Sequence, residues 1–212
     1  MSDSEPVLLK KLAKIINARF ISNASPLRVD FFTHDLEANS ESNKIAAETL
    51  SQLPHETLYS LPEGKLNLYN DGIVLITEDL AFPIKFYCAW KDILFTGKPA
   101  IQTKQIWCDS KFRSIRINGF PLGGYCLFKI LLPRYKIVVG SDEHTPDGER
   151  AAKNHVKYAL KHGFYVYVRD SHNQLHDIIN HEIIEKKTNL FWGTKPENKE
   201  YLIIYSQEDL FS

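Results

Sequence analysis

The sequence predicts a mixed α/β fold (α+β), in which helices flank a central, mostly antiparallel sheet. Helical periodicity dominates the beginning of the chain, β-branched runs separated by turn residues fill its middle, and strands alternate with helices towards its end. The 212 residues are expected to form a single domain, with a helical N-terminal part over residues 1–60 and a mixed-sheet core over residues 61–212.

The beginning of the chain carries two helical patterns. Val7 to Phe20 places its apolar residues on one face, and Asn39 to Leu53 does the same through regularly spaced Ile, Ala and Leu. A strand is expected over residues 27–33, between these helices. Pro54 and Pro62 are expected to bracket a loop.

Four extended runs follow, and turn residues separate them. Short connections between consecutive strands favour antiparallel pairing, so the runs predict an antiparallel meander. The predicted strands are Leu66–Tyr69, Ile73–Thr77, Ile84–Trp90 and Lys104–Cys108. The predicted turns are Asn70–Gly72, Glu78–Asp79 with Pro83, and Gly97–Pro99.

The next elements alternate between helix and strand. Pro121 to Leu132 is predicted as a helix with Pro121 at its first position, where a missing N–H costs nothing, and Pro133 is expected to end it. Tyr135 to Gly140 reads as a buried strand because it carries an uninterrupted β-branched run.

A strand–helix–strand unit is expected after Gly140. Thr145 can cap a helix that starts at Pro146, and Gly163 suits the left-handed residue after its end. Phe164 to Val168 is the next strand, and the crossover should be right-handed. Residues 178–187 are expected to be helical, and residues 200–205 to form the final strand.

The charge balance and the cysteines narrow the kind of protein. Lys and Arg together number 26, as do Asp and Glu, so the formal net charge is zero. Proteins that bind nucleic acid usually carry a basic excess, so the balance does not favour a nucleic-acid partner, although a local basic face is compatible with it. The three cysteines form no Cys-x-x-Cys pair, which predicts buried thiols rather than disulfides or a zinc site.

The first residues of the chain and the length of its apolar runs predict the compartment. The first residues are polar and acidic, unlike a signal peptide. No apolar run approaches the roughly 20 residues that span a bilayer. The sequence therefore predicts a cytoplasmic protein, in a cell or in an infected host, without a membrane partner.

One glycine-rich segment precedes a helix, where the backbone can approach a phosphate. It reads Arg113-Ser-Ile-Arg116-Ile-Asn-Gly119-Phe-Pro-Leu-Gly123-Gly124. This segment and the order of elements over Leu66 to Tyr205 resemble the GCN5-related N-acetyltransferase (GNAT) superfamily, whose acyl-coenzyme A lies between two splayed central strands. The resemblance implies that Arg113, Arg116, Gly119, Gly123 and Gly124 bind the cofactor's pyrophosphate, although Pro121 stands where the superfamily has Gly or Ala.

The helix after Pro146 ends in a second similar phrase, Lys157-Tyr-Ala-Leu-Lys-His-Gly163-Phe164. In the superfamily a tyrosine of this phrase often protonates the departing thiolate of coenzyme A. Here Ala159 occupies that position and Tyr158 comes one residue earlier, about 100° around the helix. The resemblance makes Tyr158 a candidate general acid.

The turn between the predicted strand and this helix holds a polar cluster, Asp142, Glu143 and His144. Open α/β sheets bind ligands at the carboxyl ends of their strands, and a histidine beside carboxylates can act as a general base. We therefore take Asp142 and His144 as candidate catalytic residues. The alternative is that Asp142 and Thr145 cap a turn and His144 is solvated.

The turn Ser141 to Gly148 is also similar to divergent acetyltransferase-like proteins of bacteriophages, some of which act in DNA-base modification. No metal is expected in this protein. His172 and His176, with His181 farther along, would suit a metal only if their segment were helical, and Ser171 to Gln174 reads as a turn.

The resemblance implies an acyltransferase that moves an acyl group, such as acetyl, from acyl-coenzyme A to an amine on a small molecule, protein or nucleic acid. One alternative is a non-catalytic phage structural or host-interaction protein on the same scaffold. Another is modification of a nucleic-acid base, which would need a basic face from Lys10, Lys11, Lys14, Lys111, Arg113 and Arg116. An open gap between the splayed strands favours a cofactor, and a gap filled by Trp107, Phe112 or Tyr125 favours a binding protein.

Overall fold

The computed structural model describes residues 39–140, 146–170, 172–178 and 201–211. The helix predicted over residues 7–20, the strand over 27–33 and all but the first residue of the helix over 178–187 lie outside these ranges. The chain divides into two compact units, Met1–Lys85 and Phe86–Ser212. The single domain expected from the sequence stays a prediction.

The first unit contains the helix α1 (Ser40–Ser51), which confirms the second predicted helix. The Asn39 side chain caps it by accepting hydrogen bonds from the N–H groups of Glu41 and Ser42. The helix buries Asn43 beside Ala46, Ala47 and Leu50. An apolar face at helical spacing therefore holds α1 in place.

Three antiparallel strands follow in the order β1 (Glu56–Leu61), β2 (Gly64–Tyr69) and β3 (Gly72–Thr77). The second and third confirm predicted strands. The loop expected between Pro54 and Pro62 is wrong, because β1 occupies it. This strand is largely exposed, so its sequence lacks the apolar alternation that marks a half-buried strand, and its pairing with β2 defines it.

The second unit begins within a long hairpin of β4 (Ile84–Phe95) and β5 (Lys98–Cys108), whose first two residues, Ile84 and Lys85, end the first unit. Both strands are longer than predicted. The turn falls on Thr96 and Gly97, which have φ values of 49° and 78°, so Lys98 and Pro99 belong to the strand rather than to the turn. Two left-handed residues give the tight turn that suits a twisted hairpin.

A short 3-10 turn (Ser110–Phe112) and the hairpin of β6 (Arg116–Ile117) and β7 (Phe120–Pro121) lead into a helical segment over residues 122–135. The segment consists of α2 (Leu122–Tyr125), a π-helical stretch (Cys126–Leu131) and α3 (Leu132–Tyr135). Pro121 precedes the helix as its N-cap and does not take the first helical position.

Pro133 does not end the helix, contrary to the expectation, because it lies within α3. In the π-helical stretch the Leu132 N–H donates to the carbonyl of Leu127. The ladder of hydrogen bonds is therefore already shifted where the proline occurs, and the missing N–H of Pro133 falls in the first turn of α3. The segment ends at Lys136, whose φ is 63°.

The remaining elements are β8 (Ile137–Val139), α4 (Pro146–Lys161), β9 (Tyr165–Arg169), β10 (Leu175–Asp177) and β11 (Leu202–Ser206). They confirm the predicted strand–helix–strand order. However, β11 lies between β8 and β9 and pairs antiparallel with both, so these two strands run parallel without touching. The handedness of the crossover stays a prediction.

The strand order in the second unit is β4-β5-β8-β11-β9-β10. Among its pairs, β5 with β8 is parallel and the other described pairs are antiparallel. These strands carry a core of apolar side chains: Phe95, Ala100, Ile137, Val139, Tyr167, Leu202 and Ile204. The fold class predicted from the sequence, a mixed α/β fold with a mostly antiparallel sheet, is confirmed.

Candidate functional site

Among the described residues, the parallel strands β5 and β8 pair at two positions, Ile101 with Val138 and Gln102 with Val139. The strand β8 ends at Val139, whereas β5 continues to Cys108. The Thr103 hydroxyl donates a last hydrogen bond, 3.3 Å long, to the carbonyl of Val139. The N–H of Gly140, the residue after β8, donates to the carbonyl of Ile203 at 2.7 Å, which continues the antiparallel pairing of β8 with β11. We call the end of the described pairing of β5 with β8, at Thr103 of β5, the fork.

A β-bulge lies on β5 at the fork. Ala89 of β4 faces Gln105 and Trp90 faces Thr103, which leaves Lys104 as an extra residue. A bulge bends its strand and increases the local twist. The direction of β5 therefore changes where its described pairing with β8 ends.

The helical segment over residues 122–135 starts beside β5 beyond the fork. A Cβ added to Gly123 would lie 4.0 Å from Cγ2 of Ile106 and 3.9 Å from Cε1 of His155. The N-cap residue is Pro121, whose own side chain makes no capping hydrogen bond. Its first N–H groups and the helix dipole make this end attractive to an anion.

The other residues predicted to bind pyrophosphate lie on the preceding loop. Nη1 of Arg116 donates to the carbonyls of Arg113 and Ile115 at 2.8 and 3.0 Å, so part of this guanidinium is held by its own loop. Gly119 has a φ of 83° and follows Asn118 at 50°, in the turn between β6 and β7. That turn by itself requires a glycine. The binding role of all three residues stays a prediction.

Tyr158 on α4 lies within a group of aromatic rings. Its ring centroid is 4.9 Å from that of Phe120, 4.6 Å from that of Phe128 and 4.0 Å from that of His162. These contacts give the tyrosine ring a packing role between α4 and the helical segment. Its role as a general acid stays a prediction.

His155 is a site residue that the sequence reasoning missed. It lies one helical turn before Ala159 on α4, and its Nε2 would be 3.5 Å from a Cβ on Gly124. Its ring packs edge-on against Phe128 at 5.8 Å. Burial lowers the pKa of His155 to about 4, so the imidazole is neutral at pH 7. One signal was available, since His155 adjoins the apolar residue Val156 and lies four residues before Ala159.

The predicted polar cluster Asp142, Glu143 and His144 lies outside the described residues. In sequence it follows Gly140, the residue after β8, whose N–H donates to the carbonyl of Ile203. The catalytic roles proposed for Asp142 and His144 therefore stay predictions.

The thiols are poor candidates for nucleophiles. Cys88 and Cys126 are buried, as predicted, and Cys108 is partly buried. Burial raises the pKa of Cys88 to about 12 and that of Cys108 to about 11, and it raises the pKa of Cys126 well above its usual value. Because the thiolate is the reactive form, all three side chains should be inert near neutral pH.

His172 and His176 lie on the turn and strand of the β9–β10 hairpin rather than on one helix. Asp170 organises this turn: its carboxylate accepts from the N–H groups of His172 and Gln174 and lies 2.7 Å from Nε2 of His176. The bond to His176 lowers the pKa of Asp170. Within the described ranges, no group of three or more His, Cys, Asp or Glu side chains is placed to hold a metal.

Three aromatic residues are the candidates for filling a closed gap. Trp107 stacks on Tyr87 of β4 at 5.7 Å, Tyr125 is buried in the helical segment, and Phe112 ends the 3-10 turn. Ile106, which lies on β5 beyond the fork, keeps 49% of its surface exposed. An open gap beside β5 stays a prediction.

None of the helices in the described ranges is long and apolar enough to cross a membrane. No protein-family model matches the chain, and a comparison with curated proteins gives no match. The similarity to N-acetyltransferases therefore stays a prediction based on the quoted motifs and the order of elements.

Proposed function

We propose that this protein binds acyl-coenzyme A at the fork and transfers the acyl group to an amine. The observation that carries the proposal is the end of the described pairing of β5 with β8 after two positions, at a β-bulge, beside the start of a helix. All described residues of this arrangement belong to the unit Phe86–Ser212.

The fork suits the pantetheine arm of the cofactor. The described pairing of β5 with β8 ends at Thr103, and the pantetheine arm would lie along β5 beyond that point. The arm contains two amides, which can pair with a free strand edge as an added strand does. A backbone N–H of β5 near the bulge would then polarise the thioester carbonyl, where negative charge develops during acyl transfer.

The helix start suits the pyrophosphate. Gly123 and Gly124 provide N–H groups in the first turn without a side chain in the way, and the segment that they begin extends to Tyr135. A phosphate at a helix N-terminus accepts bonds from such N–H groups and gains from the dipole. Arg116 retains Nε and Nη2 donors beyond the bonds of its Nη1, and these can add charge-assisted hydrogen bonds.

A non-catalytic binding protein is the second candidate, and two observations favour it. The turn between β6 and β7 explains Gly119, and aromatic packing explains the ring of Tyr158. Neither residue then needs a cofactor to account for it. A protein that does not bind acetyl-coenzyme A, or that binds it without any turnover, would favour this alternative.

Thermal unfolding with acetyl-coenzyme A tests the proposal. A ligand at about 100 times its Kd stabilises a protein by about 2.7 kcal/mol, which for a chain of this size raises Tm by about 5–10 °C. Ile106→Trp should abolish the increase because the larger side chain fills the space beyond the fork. The matched control is Leu94→Trp, which alters an exposed residue near the other end of the same hairpin and should keep the increase. An unchanged Tm of the wild type at millimolar acetyl-coenzyme A would contradict the proposal.

A further inference from the structure

We propose that His155 accepts the proton of the attacking amine and passes it to the departing thiolate. This inference rests on the proposed function, because it assigns a proton-transfer group to the acyl transfer at the fork. No motif quoted from the sequence contains this residue.

The placement of His155 is the first reason. Its ring faces the first turn of the helical segment, with Nε2 3.5 Å from a Cβ built on Gly124 and Cε1 3.9 Å from one built on Gly123. The same Cβ on Gly123 would touch Ile106, the exposed residue of β5 beyond the fork. Both distances are ordinary van der Waals contacts, so the imidazole packs against these glycines. The histidine therefore stands at the corner formed by β5, α2 and α4.

The hydrogen-bonding state of His155 is the second reason. Within the described part of the chain, neither ring nitrogen has a hydrogen-bond partner, although Phe128 fixes the ring by an edge contact. A partly buried imidazole without an internal partner is available to a ligand. Because burial keeps the ring neutral at pH 7, one of its nitrogens can accept a proton.

Tyr158 is less suited to this position. Residues four apart lie on the same helix face, so His155 shares a face with Ala159, which occupies the position of the superfamily's tyrosine. Tyr158 lies about 100° away and packs among Phe120, Phe128 and His162. The structure thus offers a histidine, one turn earlier, on the face where the tyrosine is missing.

The proposed step is balanced. The neutral amine attacks the thioester carbonyl and forms a carbon–nitrogen bond, and the adduct nitrogen carries one proton more than the amide product. A ring nitrogen of His155 takes that proton. The carbon–sulfur bond then breaks with its electron pair on sulfur, and the imidazolium returns the proton to give the free thiol. Since a buried imidazolium is disfavoured, it gives up the proton readily.

The test measures thiol release from acetyl-coenzyme A with hydroxylamine as a small amine acceptor. His155→Ala should lower kcat by about 100-fold or more, the range of general acid–base catalysis, while acetyl-coenzyme A still raises its Tm. Added imidazole should restore at least a tenth of the lost rate. His162→Ala changes an exposed histidine in the turn that follows the same helix; it is the matched control and should keep the wild-type kcat. If His155→Ala does not fold, His155→Gln is measured in its place.

The outcomes separate the two proposals. A wild type that binds acetyl-coenzyme A, with His155 variants that keep the wild-type kcat, overturns the role of His155 and leaves the proposed function intact. Loss of rate without rescue by imidazole also overturns the proton-transfer role. A wild type that binds acetyl-coenzyme A but releases no thiol above the buffer rate overturns the proton-transfer role as well. A wild type that does not bind acetyl-coenzyme A overturns both proposals.

Discussion

At the scale of single residues, local structure accounts for two residues that the sequence predicts to bind or catalyse. The described site also contains one residue that the sequence analysis did not predict. Gly119 serves a turn, and the ring of Tyr158 packs among other aromatics. His155 was missed because a histidine beside an apolar helix face has no spacing signature of its own. Its significance depends on Gly123, Gly124 and Ile106, which the fold brings to it from distant parts of the chain.

We expect His155 to make the stability of the protein depend on pH. Its pKa is about 4 in the folded protein, against 6.5 as its ordinary value. Between these values the unfolded chain binds a proton that the folded protein does not, so stability falls as the pH drops from about 6.5 to about 4. The loss from this residue should reach at most about 3 kcal/mol.

Urea unfolding of the wild type and of His155→Gln from pH 7 to pH 4 measures this contribution. The variant should lose less stability over the interval than the wild type, and His162→Gln should behave as the wild type does. The hydrogen bond from Lys85 lowers the pKa of Asp79, and the pKa of Asp170 is also lowered, so both residues lose their contributions to stability at lower pH. All three proteins contain both residues, so this loss is common to them. Equal losses in the wild type and His155→Gln would contradict the prediction.

At the scale of helices and strands, elements with a clear apolar period were predictable, and elements defined by their neighbours were not. The helix α1 and the strands β2 to β5 carry their own patterns. The strand β1 is exposed and exists through pairing with β2, so its sequence looks like a loop. Likewise, Pro133 continues a helix because a π-helical stretch has shifted the hydrogen bonds before it.

Besides its apolar face, α1 has one buried polar side chain that joins it to the start of β4. Nδ2 of Asn43 donates to the carbonyl of Ile84 at 3.2 Å, and the Ile84 N–H donates to Oδ1 of Asn43 at 2.8 Å. Asn43→Ala should destabilise the protein by about 2–4 kcal/mol, because two buried backbone groups lose their partner.

Chemical unfolding followed by circular dichroism measures this cost. Lys44→Ala, which changes the exposed neighbour on the same helix, is the control and should change stability by less than about 0.5 kcal/mol. An Asn43→Ala variant as stable as this control would show that the two bonds do not hold α1 in place.

At the scale of the whole molecule, the sequence predicted the fold class but not the order of the strands. Turn residues between consecutive strands predict a meander, because neighbouring strands of a meander are also neighbours in sequence. The insertion of β11 between β8 and β9 joins strands far apart in sequence, and no local pattern specifies that pairing. The same holds for the fork, which forms only because Ile101 and Gln102 of β5 meet β8. The glycines at the helix start were predictable, and their position beside the fork was not.

The most direct test of acyl-coenzyme A binding at the fork is a crystal structure of the full chain with acetyl-coenzyme A. We expect the thioester beside β5 between Thr103 and Ile106, and the pyrophosphate within about 3 Å of the N–H groups of Gly123 and Gly124. Crystals grown with millimolar acetyl-coenzyme A that show an empty fork, or the cofactor bound elsewhere, would contradict the proposal.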